Sequence, residues 1–232
     1  MKPKSEPAHC RPEVWRYFTA QLERLAETNS LIHAAAAVAW QLDVEQEPAA
    51  VPGLLDELAR GVLKNVRSQS PVALLAHLHA ELFDERGFSG ETRDYYSPRN
   101  SFLPEVLRKR RGLPVLLALV YKAVGERIGL EIEGLNTPGH FLTAVRDGDH
   151  WLLIDPYAGG RAMSIDEASA RISEITGRPE RLSWDDLPVA DHPMWLARII
   201  LNLLAIYQRA ANGPNAAAME EMLRTVAENE RD

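Results

Sequence analysis

A histidine and an aspartate near the middle of the chain have the residue types and the spacing for proton-transfer chemistry. His140 lies in the run Gly-His-Phe-Leu, and Asp155 ends the apolar run Trp-Leu-Leu-Ile-Asp. The two runs look like neighbouring strands, 140–146 and 151–154, joined by an Asp-Gly-Asp turn. An imidazole can take the proton of a nucleophile, and a carboxylate fixes its tautomer and stabilises its charged form. These side chains are therefore two members of a Cys-His-Asp triad.

The nucleophile of such a triad is missing from the helix that precedes the two strands. That helix begins with Gly-Leu-Pro-Val-Leu-Leu at residues 112–117, which include neither a thiol nor a hydroxyl. The sequence therefore indicates a triad that has lost its thiol.

Composition limits the classes of function. The chain has 232 residues and a formal net charge of -7, which argues against a general nucleic-acid binder, because such proteins neutralise phosphates with basic residues. Cys10 is the single cysteine, so no intrachain disulfide can form. The longest nearly uncharged run, 31–42, is too short to cross a bilayer, and the N-terminus has no apolar leader run. We expect a cytoplasmic protein that binds neither membranes nor nucleic acid.

Hydrophobic periodicity predicts helices at both ends of the chain and a mixed region between them. Residues 1–11 are interpreted as a flexible N-terminus, and 12–86 as a helical region. Residues 87–187 contain a helix at 115–128 followed by short strands, and 188–232 form a helical hairpin. The fold class is therefore α+β, with a central helix against a small antiparallel sheet. Asn100 or Ser101 is expected to cap a short helix that begins at Phe102.

Short motifs in a fixed order carry a resemblance to a known family. They are Gly87-Phe88 with Gly90, Asp94-Tyr95-Tyr96, Asn100-Ser101-Phe102-Leu103, Val106-Leu107, Arg110-Arg111-Gly112-Leu113-Pro114, Pro138-Gly139-His140-Phe141-Leu142, and Asp155-Pro156 with Gly159-Gly160. In this order the chain resembles the bacterial SirB-type transglutaminase-like family over most of its length. The resemblance implies a papain-like α+β core, preceded by helices and followed by a hairpin of tetratricopeptide type.

The resemblance also implies roles for individual residues. In active members of the wider superfamily, a cysteine opens the central helix, a histidine lies on a following strand and an aspartate on the next. His140 and Asp155 match the last two roles. The cysteine slot falls among residues 114–116, near Val115, and none of these can attack a carbonyl. The shared motifs supply the other candidate binding residues, which are Asn100, Ser101, Arg111, Pro114, Gly139 and Tyr157.

Other groups could replace the lost thiol. Ser101 lies in a shared motif, although it is equally suited to a helix cap. Cys10 lies outside every shared motif and would require the N-terminal tail to fold into the cleft. A metal site at His140, His150 and Asp155 is not expected, because His150 lies beside the predicted turn, and no cofactor is implied. His140 and Asp155 could also form a purely structural buried pair.

Three functions remain open. The first is a catalytically degenerate transglutaminase-like protein, without enzymatic activity, that binds a protein or peptide as a regulatory module. The second is a hydrolase or acyl transferase in which His140 is the base, Asp155 orients it, and a non-standard nucleophile or an activated water attacks. The third assigns His140 and Asp155 to packing and leaves partner binding to the C-terminal hairpin.

Overall fold

The computed structural model describes residues 6–229 and contains both helices and strands. Its N-terminal part is helical, and its last helix there continues into a π-helical turn at Ala80–Glu85. Prolines begin α1 and α4, since a first helical turn needs no N–H donor, and Ser70 caps α4. These helices lie within residues 12–86, where the periodicity predicts them. Their bounds are α1 Pro12–Leu22, α2 Thr28–Leu42, α3 Val51–Leu63 and α4 Pro71–His79.

The central helix of the fold is α6, whose start is held by a short strand pair. The strands β1 (Ser89–Gly90) and β2 (Arg111–Gly112) pair in parallel, with α5 (Leu103–Lys109) between them in the chain. α6 follows at Pro114–Arg127, and every residue from Pro114 to Gly125 is buried. Such a helix, apolar on nearly all sides, must be enclosed by other elements.

An antiparallel sheet packs on α6 through β3 and β4. Its strand order is β6-β5-β4-β3-β7, and all of these pairings are antiparallel. The helix α7, Ile165–Thr176, follows β6 and begins with a complete capping box formed by Ser164 and Glu167. The strands are β3 Ile132–Leu135, β4 Leu142–Asp147, β5 His150–Asp155, β6 Arg161–Met163 and β7 Val189–Ala190.

The C-terminal hairpin packs on the rest of the chain. It consists of α8 (His192–Arg209) and α9 (Gly213–Asn229), which contact α1, α2 and α6. Trp195 of α8 is fully buried, and its indole Nε1 donates to the carbonyl of Val115 at 3.2 Å. The hairpin is therefore tied to the first turn of α6. Within residues 6–229, no helix is both long enough and apolar enough to cross a membrane.

Two local expectations are corrected by the structure. His140 precedes its strand, which begins at Leu142, because Gly139 adopts a left-handed turn with φ 69°. Neither Asn100 nor Ser101 caps α5. Both belong to a 3-10 turn, Phe102 occupies the cap position, and α5 has no side-chain cap.

The segment interpreted as a flexible N-terminus, 1–11, is described in part. Residues 1–5 of that segment lie outside the described residues. The backbone N–H groups of Ala8, His9 and Cys10 all donate to the carboxylate of Glu221 on α9. Residues 8–10 are therefore attached to the hairpin.

Candidate functional site

The structure brings His140 and Asp155 together as a buried hydrogen-bonded pair. The imidazole Nε2 lies 2.9 Å from Oδ2 of Asp155, and the two residues are 3% and 1% exposed. The turn before β4 supplies His140, and the last residue of β5 is Asp155. Because β4 and β5 are neighbours in the sheet, the ends of both elements meet at one edge. The expected proximity of these two side chains is therefore found.

The second carboxylate oxygen fixes the orientation of Asp155. Oδ1 accepts from the backbone N–H of Tyr157 at 3.0 Å and from that of Ala158 at 3.2 Å. An ionised carboxylate accepts hydrogen bonds and donates none, so the Nε2–H of His140 donates to Oδ2. In the neutral imidazole, this contact fixes the tautomer and leaves Nδ1 as an acceptor. None of the hydrogen bonds among residues 6–229 uses this Nδ1.

Tyr157 closes one side of the imidazole. Its ring meets the His140 ring edge-on, with the centroids 5.7 Å apart and an interplanar angle of 90°. The phenol donates to the carbonyl of Glu91 at 2.6 Å. Burial raises the pKa of Tyr157, and the neighbouring Tyr95 and Glu91 raise it further. Tyr157 therefore stays a neutral hydrogen-bond donor that positions the imidazole.

The first turn of α6 provides no nucleophile. Pro114 and Val115 are buried there, and the backbone N–H of Leu113 donates to the carbonyl of Asn100 at 3.1 Å. The Asn100 side chain donates to the carbonyls of Asp94 and Tyr95, which ties the tyrosine loop to the start of α6. Asn100 is thus a structural bridge between that loop and α6.

The remaining predicted site residues divide into a buried one and two exposed ones. Ser101 is fully buried, and its hydroxyl has no hydrogen-bond partner. Arg111 and Gly139 are both exposed. A side chain on Gly139 would meet Ile175 at 2.7 Å, so α7 packs closely on the turn before His140.

The surroundings of the Cys10 thiol do not activate it as a nucleophile. Its Sγ approaches the carbonyl of Ala218 on α9 at 3.6 Å. Burial raises its pKa well above the ordinary range, and the charge of Glu221 and the hydrogen bond that the thiol donates to it raise the pKa further. A nucleophilic cysteine requires the opposite shift.

Within residues 6–229, His150 does not join His140 and Asp155 in a set of metal ligands. His150 begins β5, is exposed, and pairs with Asp147 across the hairpin. No group of three or more potential metal-ligating residues of the His, Cys, Asp or Glu type occurs in the part of the chain that the structure describes.

Arg198 is a residue of this site that the sequence reasoning missed. It lies on α8 between the buried pairs Trp195-Leu196 and Ile199-Ile200. Its guanidinium reaches the turn before β4, where Nη2 donates to the carbonyl of His140 at 3.4 Å. The one available signal was a single arginine within an apolar helical run.

Comparison with known proteins places this arrangement in a family. Residues 36–201 match the transglutaminase-like superfamily. The chain therefore belongs to that superfamily. The match begins in α2 and ends in α8, so it includes the central helix, the sheet and both members of the histidine–aspartate pair.

The relatives include uncharacterised bacterial proteins and one mammalian protein. A UPF0162 protein of Xylella fastidiosa strain 9a5c is 30% identical over 80% of this chain and 69% of its own length. A UPF0162 protein of Pseudomonas aeruginosa is 29% identical over 86% of this chain and 72% of its own length. The F-box only protein 21 of mouse is 28% identical over 49% of this chain and 19% of its own length. No solved structure matches.

Proposed function

We propose that this protein is a catalytically degenerate transglutaminase-like protein that binds a protein or peptide in the cleft beside His140. The observation that carries the proposal is a buried, hydrogen-bonded His140–Asp155 pair in a chain whose central helix, α6, has no nucleophile in its first turn. Acyl transfer through a covalent intermediate requires a thiol or hydroxyl that a base can deprotonate. Without the thiol, the His140–Asp155 pair can still form hydrogen bonds, but no covalent acyl intermediate can form on the first turn of α6.

The pair remains suited to recognition. With Nε2–H donating to Asp155, Nδ1 of His140 is an acceptor, and a peptide N–H is a fitting donor for it. Tyr95 is 37% exposed and lies along α8, which contacts the turn that carries His140, and aromatic side chains of this kind are frequent in peptide-binding surfaces. These features support a binding module over a hydrolase.

The finer classification is part of the same proposal. The order of the shared motifs supports a SirB-type protein with a papain-like core at 87–187, and the α8–α9 hairpin supports a tail of tetratricopeptide type. We propose that the protein acts in the cytoplasm, where a lone buried thiol such as Cys10 stays reduced.

The proposal is tested by selecting peptides from a displayed random library on the wild-type chain. The selected peptides are then measured on His140→Gln, whose amide can still donate to Asp155, and on His150→Ala as the matched control. We expect His140→Gln to weaken binding at least about tenfold, the loss typical of a residue at the centre of an interface. His150→Ala should bind as the wild type does.

Circular dichroism confirms the fold of each variant before binding is compared. Peptides that bind His140→Gln as tightly as wild type would show that the cleft is not the binding site. A wild-type chain that hydrolyses or transamidates the peptides, with the activity lost in His140→Gln, would establish the enzymatic alternative.

A further inference from the structure

Arg198 carries a positive charge beside the turn of His140, and its contacts within residues 6–229 are with neutral groups. Its Nη1 donates to Oδ1 of Asn136 at 2.8 Å and to the carbonyl of Thr137 at 3.4 Å, and its Nη2 donates to the carbonyl of His140. All three acceptors are neutral. No carboxylate among residues 6–229 forms an ion pair with Arg198.

The other half-buried arginines among residues 6–229 contact a carboxylate or the face of an aromatic ring. Arg11, Arg86, Arg127 and Arg171 each contact a carboxylate. Arg146 lies over the ring of Trp151 at 5.1 Å. A partly buried charge is costly unless an opposite charge compensates it. Arg198 differs from this group, and burial lowers its pKa while the neighbouring Tyr95 opposes that shift.

The hydrogen bonds leave one edge of the guanidinium available. An arginine has five N–H donors, and all three contacts above are made by Nη1 and Nη2. The Nε–H therefore remains, and it lies on the edge of the guanidinium that a planar carboxylate can bind. Nε forms no hydrogen bond within residues 6–229 and is not fully enclosed, so solvent reaches it.

Tyr95 lies along the same side of α8 as Arg198. It lines a pocket together with Asn202, which comes one helical turn after Arg198. Burial raises the pKa of Tyr95, and the guanidinium of Arg198 opposes this rise. Arg198 therefore has Tyr95 nearby along α8 and contacts the backbone of the turn that carries His140.

We propose that Arg198 and Tyr95 form a carboxylate-binding subsite next to His140, so that the ligand of the cleft carries a carboxylate. The carboxylate is either the C-terminus of a peptide or an acidic side chain. This inference rests on the proposed function for the identity of the ligand as a peptide, whereas carboxylate binding itself is testable without it.

The test uses small carboxylates and an isotope-labelled sample of the full chain. N-acetylglycine represents a peptide C-terminus, N-acetylglutamate α-methylamide represents an acidic side chain, and N-acetylglycinamide is the neutral control. The Nε–Hε signal of Arg198 is followed by NMR and assigned with the Arg198→Lys variant. We expect at least one carboxylate to shift this signal saturably and to bind at least about tenfold more tightly than the neutral amide.

A pair of variants separates recognition from loop distortion. Arg198→Gln should abolish the preference for the carboxylate over the amide. Arg198→Lys should reduce that preference, because lysine keeps the charge and loses the two-pronged geometry. Arg224→Gln, which removes an exposed arginine on α9, should leave the preference unchanged. Each comparison measures the carboxylate and the amide on the same variant. If a substitution displaces the turn, both affinities fall and the ratio between them stays the same.

The outcomes are distinct for the two proposals. Equal binding of carboxylate and amide, or no shift of the Arg198 signal with either carboxylate, overturns the subsite. A second outcome is that carboxylates shift the signal, but the selected peptides bind His140→Gln as tightly as wild type. This outcome overturns the proposed function and leaves the subsite supported. The more tightly bound carboxylate identifies a terminal or a side-chain source.

Discussion

Replacing Asp155 with alanine should destabilise the fold strongly, because the buried carboxylate accepts hydrogen bonds from three groups. These are Nε2 of His140 and the backbone N–H groups of Tyr157 and Ala158. Each buried donor left without an acceptor costs about 1–3 kcal/mol, and removing one partner of a buried pair costs about 3–5 kcal/mol in total. We expect Asp155→Ala to lower the free energy of unfolding by about 4 kcal/mol.

A conservative variant tests the reason for that loss. The side-chain oxygen of Asp155→Asn can still accept the two backbone N–H groups, so most of the hydrogen bonding survives. We expect Asp155→Asn to cost about 1–2 kcal/mol, mainly at the imidazole. The exposed control His150→Ala should change stability by less than about 0.5 kcal/mol.

Urea unfolding followed by circular dichroism measures all three variants against wild type. The reasoning fails if Asp155→Ala unfolds within about 1 kcal/mol of wild type, or if alanine and asparagine cost the same. Either result would mean that the carboxylate contacts do not hold the two strand ends together.

The remaining predictions concern the N-terminal attachment and the tyrosine beside the pair. Burial alone raises the pKa of Glu221, but its hydrogen bonds to three backbone N–H groups outweigh burial and lower it. The stabilisation is therefore present above the unfolded pKa, about 4.3, and is lost as the pH falls through the folded value. Glu221→Gln should cost about 1 kcal/mol at pH 7 and progressively less below pH ~4, and urea unfolding at both pH values checks this. An equal cost at both pH values would contradict the assignment to the charge. Cys10 should resist iodoacetamide at pH 8 in the folded chain and react once urea unfolds it, because burial and Glu221 raise its pKa. Mass spectrometry measures the labelling. Rapid labelling of the folded chain would contradict the burial of Cys10. Gly90→Ala should displace Tyr157, since the added Cβ would lie 2.5 Å from its ring, and should cost about 1–3 kcal/mol. A Gly90→Ala chain as stable as wild type, with unchanged peptide binding, would show that this contact does not position the imidazole.

Much of the secondary structure follows from local pattern. The apolar run after Pro114 predicts α6. The proximity of His140 and Asp155 follows from the short turn between their strands, because a hairpin places the far ends of its strands side by side.

The failures arise where tertiary contacts decide the outcome. Ser101 has the residue type of a helix cap, yet its turn directs it into the core. The approach of Arg198 to His140 joins residues 58 positions apart, through the packing of α8 on α6 and the sheet. Neither the hydrophobic period nor the local motifs contain that contact.

The central claim is that the cleft binds its ligand and does not transform it. The measurement that tests it most directly is mass spectrometry of selected glutamine-containing peptides after prolonged incubation with the wild-type chain and a primary amine. His140→Gln serves as the reference. The account predicts peptides of unchanged mass in both samples, together with tighter binding to wild type. Peptide hydrolysis, deamidation or amine incorporation by wild type alone would contradict it and would establish an enzyme with an unrecognised nucleophile.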